Sequence, residues 1–248
     1  MLVPQRVISV VPSQTELLFD LGLDKEIIGI TKFCIHPADK VRGKTLVGGT
    51  KTLHLDQIHS LRPDFILANK EENSREQIEE LQRHCPVHVT DISTLYDALA
   101  MIREGGKLVG KAQQSDQMAQ QIVSSFSSLS PPTAQSSVAY LIWRKPYMVA
   151  AGDTFIHTML GAAGFQNAFA GHLRYPEVSP DDLRAASPDL IFLSSEPYPF
   201  TEKHIAELQA ICPSARVRVV DGEMFSWYGS RLLRAGSYLR NLQNEIAT

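Results

Sequence analysis

One pattern occurs twice in this chain, and it dictates the class of fold. The first copy is Asp56-Gln57-Ile58-His59-Ser60-Leu61-Arg62-Pro63-Asp64-Phe65-Ile66-Leu67. The second is Asp181-Asp182-Leu183-Arg184-Ala185-Ala186-Ser187-Pro188-Asp189-Leu190-Ile191-Phe192-Leu193. Asp56 and Asp181, Pro63 and Pro188, and Asp64 and Asp189 share one offset: 181−56, 188−63 and 189−64 all equal 125. Each copy predicts a short helix, a Pro-Asp stop, and a β-branched and aromatic run suited to a buried strand. The residue before a proline is disfavoured in the helical region, so Arg62 and Ser187 close their helices. A second echo follows. Glu80-Leu81-Gln82-Arg83-His84-Cys85-Pro86 matches Glu207-Leu208-Gln209-Ala210-Ile211-Cys212-Pro213 at 212−85 = 127. Each leads into a strand-like run ending in Asp, over residues 87–91 and 217–221. A period this long, present only twice, marks duplicated domains rather than a solenoid. The expected fold is α/β: two related lobes, each a mostly parallel sheet flanked by helices.

Composition narrows the function classes. A length of 248 residues suits one large or two small domains. A hydrophobic content of 44% supports real cores. The formal net charge of −3 gives no footprint for nucleic acid. No apolar run reaches the roughly 18 residues that a membrane span needs. The N-terminus shows no basic segment, apolar stretch and cleavage site in series. The chain therefore reads as cytoplasmic if complete, and as periplasmic if a leader has been removed. Three cysteines make no disulfide framework. Cys85 and Cys212, at equivalent repeat positions, read as small buried hydrophobes.

Taken in order, residues 6–11 form a first strand ending at Pro12. Ser13-Gln14-Thr15-Glu16 has capping-box spacing and opens a helix. A strand over 27–31 opens into the polar and aromatic loop 32–37, and Gly48-Gly49 leads into the first repeat. That repeat's strand ends at Asn69-Lys70-Glu71-Glu72-Asn73. A helical pattern from Thr94 is interrupted by Gly105-Gly106 and Gly110. Residues 111–129 keep Met118, Ile122 and Phe126 on one face of a helix roughly 27 Å long. This helix is the expected rod between lobes, stopped at Ser130-Pro131-Pro132. The expected organisation is an N-terminal lobe over 1–108, a linking helix over 109–130, and a C-terminal lobe over 131–248. That lobe opens with a strand over 138–143, then a helix capped by Asp153 or Thr154. A strand or loop lies near 167–169. Ser179-Pro180-Asp181-Asp182 starts the second repeat helix, with a cap, a proline at the first position and acids suited to the dipole. A final helix is expected over 230–245.

In open α/β sheets, ligands bind at the carboxyl ends of strands. Those ends here carry aromatics beside charges, as a cleft for a large, flat, partly charged ligand requires. The candidates are Lys32, Cys34, His36, Glu71, Glu72, Trp143, Arg144, Arg174, Tyr175, Glu196, Tyr198, Trp227, Tyr228 and Arg231. Trp143, Trp227 and Tyr228 are stacking candidates, Trp143 equally a core residue. Arg144, Arg174 and Arg231 suit carboxylates or phosphates, or equally a neighbouring Glu. Cys34 and His36 are a candidate metal pair that Glu71 or Glu72 would complete. The alternative for them is a packed thiol and a hydrogen-bonded imidazole. No nucleophile elbow, phosphate loop or zinc-protease motif appears. An enzyme reading rests only on Cys34, His36 and Glu71, as a cytoplasmic metal-handling enzyme or metallochaperone of the chelatase type.

Val10-Val11-Pro12-Ser13-Gln14-Thr15-Glu16-Leu17, Val47-Gly48-Gly49 and Leu61-Arg62-Pro63-Asp64-Phe65-Ile66-Leu67-Ala68 carry a resemblance. The chain resembles, over nearly its whole length, the class III (cluster A) periplasmic substrate-binding proteins. These are the helical-backbone metal receptors that bind cobalamin and ferric siderophores. The resemblance implies two α/β lobes joined by one long backbone helix, with the ligand held in the cleft between them and little hinge motion. It implies a non-catalytic monomer. Its ligand would be a corrinoid, haem or ferric chelate, with no further cofactor. It also implies an ABC-importer permease as partner, whose arginines pair with one acidic residue on each lobe. The matching positions are Asp56 and Asp181, where relatives of the cobalamin type usually carry Glu.

Overall fold

The computed structural model describes residues 3–129 and 136–247. The expected stop at Ser130-Pro131-Pro132 lies outside these residues. The chain divides into two compact units. The first is Met1–Ile92, Tyr96–Ile122 and Trp227–Leu233; the second is Ser93–Leu95, Val123–Ser226 and Arg234–Thr248. The division thus falls inside the helix expected over 109–130, and residues 227–233 group with the N-terminal unit.

In the first unit the chain runs β1 (Val7–Ser9), α1 (Pro12–Asp20), β2 (Ile27–Ile30), α2 (Ala38–Val41), β3 (Thr45–Leu46), β4 (Gly48–Gly49), β5 (Thr52–Leu53), α3 (Leu55–Leu61), β6 (Phe65–Asn69), α4 (Arg75–Gln82) and β7 (Val87–Thr90). The sheet order is β3-β2-β1-β6-β7, with every pairing parallel. A parallel strand covered on both faces must be apolar throughout. Accordingly Val7, Ile8, Ile66 and Ala68 are fully buried. Ile58, Leu81 and Cys85 pack on Ile8 and Ile66 in the same core. Helices α5 (Leu95–Leu108) and α6 (Ala112–Ser127) follow. Gly105-Gly106 does not interrupt α5. A Cβ on Gly106 would lie 2.0 Å from Ser115 Oγ, so the glycine lets α5 and α6 approach closely. The break comes at Gly110, whose φ is +73°. Met118, Ile122 and Phe126 are buried along α6 as expected.

The second unit contains β8 (Ser137–Trp143), β9 (Tyr147–Val149), α7 (Phe155–Ala162), β10 (Gln166–Asn167), β11 (Glu177–Val178), α8 (Pro180–Ala186), β12 (Leu190–Ser194), α9 (Ile205–Ile211), β13 (Arg216–Val220), α10 (Glu223–Ser226) and α11 (Leu232–Ala247). Its sheet runs β11-β9-β8-β12-β13, with β10 also on β8. Strands β8, β12 and β13 are mutually parallel, while β9 is antiparallel to both β8 and β11. Ala139, Leu141, Leu183, Ile191, Leu193 and Leu208 form its core with Cys212.

The repeated Pro-Asp has one physical role in both units. Arg62 (φ 47°) and Ser187 (φ 44°) end α3 and α8 in the left-handed region, each with its N–H on a carbonyl of the last turn. The Asp that follows then holds the start of the neighbouring strand. Asp64 accepts from the N–H groups of Gln5 (2.8 Å) and Arg6 (2.9 Å), just before β1. Asp189 accepts from Ser137 N (2.7 Å) and Ser137 Oγ (2.9 Å), at the start of β8. These hydrogen bonds hold the Asp189 carboxyl below its ordinary value.

Two caps behave as expected: Thr154 Oγ1 accepts from His157 N, and Ser179 and Asp182 form a capping box with Pro180 at the first position. One does not. Helix α1 begins at Pro12 with Val11 as N-cap and no side-chain cap, so Ser13 and Glu16 form no capping box. Glu16 turns instead to Arg231. Cys34, Cys85 and Cys212 are buried free thiols, and burial pushes Cys85 up to about 11.

Candidate ligand-binding site

Most candidates fall in two groups, one in each unit, at or beyond the carboxyl ends of parallel strands, whereas Arg174 and Tyr175 precede the antiparallel strand β11. In the first unit, β6 delivers Glu71 and Glu72. Two buried amides hold that loop. Asn69 Oδ1 accepts from Glu71 N (2.8 Å) and Glu72 N (3.1 Å), and Asn73 Nδ2 donates to Val10 O (3.2 Å) and Thr50 O (3.0 Å). Lys51 Nζ donates to the Glu71 carbonyl at 2.6 Å. Both glutamates remain half-buried. The loop after β2 carries exposed Lys32, whose Nζ stands 5.1 Å from the centre of the Phe33 ring. Phe33 is itself 50% exposed.

Residues 227–231 complete this group from far along the chain. Trp227 and Tyr228 are buried, so neither offers an open face for stacking. The Trp227 ring meets half-buried His36 edge to face, with centroids 5.4 Å apart. Arg231 sits 5.0 Å from the Trp227 ring and pairs with Glu16 through Nη2–Oε1 (2.8 Å) and Nε–Oε2 (3.0 Å). The neighbouring Tyr228 hydroxyl donates to Glu72 Oε1 at 3.0 Å. Burial raises the Tyr228 phenol well above its ordinary value, so it stays a neutral donor.

The metal pair expected from Cys34 and His36 gains no support from the geometry. Cys34 is buried with its Sγ against Thr15 Oγ1 (3.1 Å) and Thr31 Oγ1 (3.2 Å), and burial raises its thiol. Among the described residues no cluster of three or more His, Cys, Asp and Glu side chains fits a metal ion. Cys34 is a packed thiol in this arrangement.

In the second unit, Trp143 ends β8 and is 40% exposed. Its ring meets Tyr198 edge to face at 5.7 Å, and Tyr198 continues to Phe200 (4.7 Å) and His204 (5.6 Å). The result is an aromatic ledge with one open member. Arg144 is engaged by Glu207, with Nε–Oε2 at 3.1 Å and Nη2–Oε2 at 2.7 Å, while the Tyr147 hydroxyl donates to the same carboxylate. The Arg144 guanidinium holds Glu207 below the ordinary carboxylate range. Arg144 thus takes the neighbouring-Glu role. Glu196 accepts from Ser226 Oγ at 2.8 Å. Arg174 is exposed, lies 5.7 Å from the Tyr175 ring centre and 3.8 Å from an Asp153 carboxylate oxygen, and has φ 58°.

Asp56 and Asp181 both lie exposed in the first turn of their repeat helices, Asp181 paired with Arg184. Asn69 and Asn73 lie in a strand end the sequence marks, but their bonds to the loop are not read from it, and Glu207 lies outside the candidates. Two asparagines bracketing an acidic pair at a strand end are the signal that marks the first two. Nothing local marks Glu207, 63 residues from Arg144.

Residues 7–211 match the family described as periplasmic binding protein. The chain belongs to that family. A vitamin B12-binding protein of Pectobacterium carotovorum subsp. carotovorum is 25% identical over 246 residues, covering 95% of this chain and 87% of the relative. Among solved structures, the apo periplasmic heme-binding protein of Roseiflexus sp. RS-1 superposes with a TM-score of 0.84 at 22% identity, covering 97% of each chain. The periplasmic vitamin B12-binding protein of Vibrio cholerae gives 0.80 at 22% identity, covering 99% of this chain and 98% of its own. These likenesses establish the fold of a periplasmic binding protein. Among the described residues no helix is long and apolar enough to cross a membrane.

Proposed function

We propose that this chain is a non-catalytic substrate-binding protein whose ligand is a corrinoid or an iron chelate, haem included, delivered to an ABC importer. The observation that carries the reading is the loading of the strand ends in a member of this family. One unit offers carboxylates and an imidazole in Glu71, Glu72 and His36, the other a ledge with the open ring of Trp143. Rings supply contact area for a macrocycle, and a few polar groups orient it. The relatives named above, which bind vitamin B12 or heme, support that ligand class. The ligand is cargo, and no cofactor of the protein's own is invoked.

In this reading segment 109–130 links lobe 1–108 to lobe 131–248, with residues 227–233 returning to the first. The protein acts as a periplasmic monomer, and Asp56 and Asp181 meet arginines of the permease. The test is a titration of the protein with cyanocobalamin, hemin and ferric chelates, followed by its tryptophans, Trp143 and Trp227. Saturable quenching by one of them is expected; silence from all three removes the ligand class. Docking is tested separately. Asp56→Arg with Asp181→Arg should abolish capture by the cognate importer and leave ligand affinity unchanged.

A further inference from the structure

The inference rests on the reading of the first unit's group as ligand-binding. Its two half-buried contact groups, His36 and Glu72, are each touched by a residue from a remote segment: His36 by Trp227 and Glu72 by Tyr228. That segment is pinned at one further charged point. Glu16 and Arg231, 215 positions apart and 4% and 5% exposed, form an ion pair in which Arg231 Nε donates to Glu16 Oε2 and Nη2 lies 2.8 Å from Oε1. Between these contacts, a Cβ on Gly229 would lie 2.6 Å from Ser13 O, so the segment's backbone lies directly on the start of α1. The Arg231 guanidinium also lies by the Trp227 ring. One buried pair therefore sets the indole, and the indole borders the imidazole.

We propose that Glu16 and Arg231 are positioning residues for ligand binding. Their pairing fixes Trp227 and Tyr228, and through them the orientation of His36 and Glu72. The argument is one of specificity. Two apolar side chains of similar volume would hold the segment at no greater cost, since desolvating an ion pair consumes much of its attraction. An apolar pair, however, has no angular preference, whereas a charge-assisted hydrogen bond from a planar guanidinium to a carboxylate fixes direction as well as distance. A planar cation beside an indole adds a second orientation constraint.

The test uses Arg231→Lys, which keeps the charge and loses the planar guanidinium, and Glu16→Gln, which keeps an acceptor and loses the charge. Far-UV circular dichroism checks folding. Two readouts need no ligand: the near-UV signal of Trp227 in a Trp143→Phe background, and the contacts between the His36 and Trp227 rings seen by NMR. A third is affinity for cyanocobalamin and hemin in the otherwise native chain. We expect folded variants with an altered Trp227 band, weakened His36–Trp227 ring contacts, and affinity weakened about tenfold, equivalent to about 1.4 kcal/mol. Folded variants with native Trp227 and His36 signals and affinity within about twofold would overturn the proposal. Should either variant not fold, Glu16→Leu with Arg231→Met restores an apolar contact. Under the proposal it folds and keeps the altered signals; native signals there overturn it. If the native protein binds neither probe, the ligand reading fails, and the Trp227 and His36 signals still decide the positioning.

Discussion

The two copies of the repeat end alike and begin differently. At their ends, Arg62 and Ser187 take the same left-handed turn, and Asp64 and Asp189 hold the start of β1 and β8. At their beginnings, α8 has a complete local cap in Ser179 and Asp182. Helix α3 has His54 as N-cap and no side-chain cap. Its lead-in is held from another helix instead. The Gln77 amide on α4 accepts from Leu53 N (3.0 Å) and donates to Leu53 O (3.1 Å). The lesson is that one repeat helix is capped by its own side chains, whereas for the other the remote helix holds only the residue before the N-cap. The sheets diverge in the same way. Beyond β1 the first unit adds two parallel strands, whereas beyond β8 the second turns back in the antiparallel strand β9.

This comparison can be broken first at the strands. Ile66 and Ile191, 125 residues apart, are both fully buried. Ile66→Ala and Ile191→Ala should each cost about 3 kcal/mol in denaturant unfolding. Losses that differ by more than about 2 kcal/mol would mean the equivalent strands are not equivalently packed. Next, Asp64→Ala and Asp189→Ala should each cost about 1 kcal/mol, read as faster amide exchange at Arg6 and Ser137. Unchanged exchange would remove the shared role given to the Pro-Asp.

The helix starts give smaller effects that sharpen the contrast. Gln77→Ala and Ser179→Ala should each cost about 1 kcal/mol. His54→Ser should then restore about 0.5 kcal/mol to the Gln77→Ala protein by supplying a local cap. A loss in both backgrounds would show that α3 cannot use one. The smallest effect is one of pH. Hydrogen bonds from Ser179 Oγ and then its N–H hold the Asp182 carboxyl below its ordinary value. A depressed folded value means the contribution is present above the unfolded value of about 3.9 and fades as pH falls through the folded one. Asp182→Asn should therefore lower the urea midpoint at neutral pH and matter progressively less in acid. A difference from wild type that grows on acidification would reverse the sign.

Much of the architecture was legible because its code is local. Pro-Asp stops, apolar runs and the Ser179 cap act within a few residues, so reading them in order placed both repeat helices and their strands. The functional group was legible only by type. That charged and aromatic residues load the strand ends follows from the chain. Their partners do not, because a carboxylate in sequence carries no mark of the cation it will meet. Glu16 sits where a capping box would place it, yet Pro12 starts the helix and the side chain goes to Arg231. Arg144 reads equally as an anion binder or as the partner of a Glu, and Glu207 takes it.

The amino-acid order by itself determined the doubling, the α/β class and where the strands end, since periodicity and turn chemistry are properties of neighbours. Only the tertiary structure decided that residues 227–233 rejoin the first unit, that Trp227 and Tyr228 are buried, and that Cys34 lies against Thr15 and Thr31. The reason is desolvation: a buried polar group must be satisfied by whatever the fold brings within about 3 Å, and that partner can be 215 residues away.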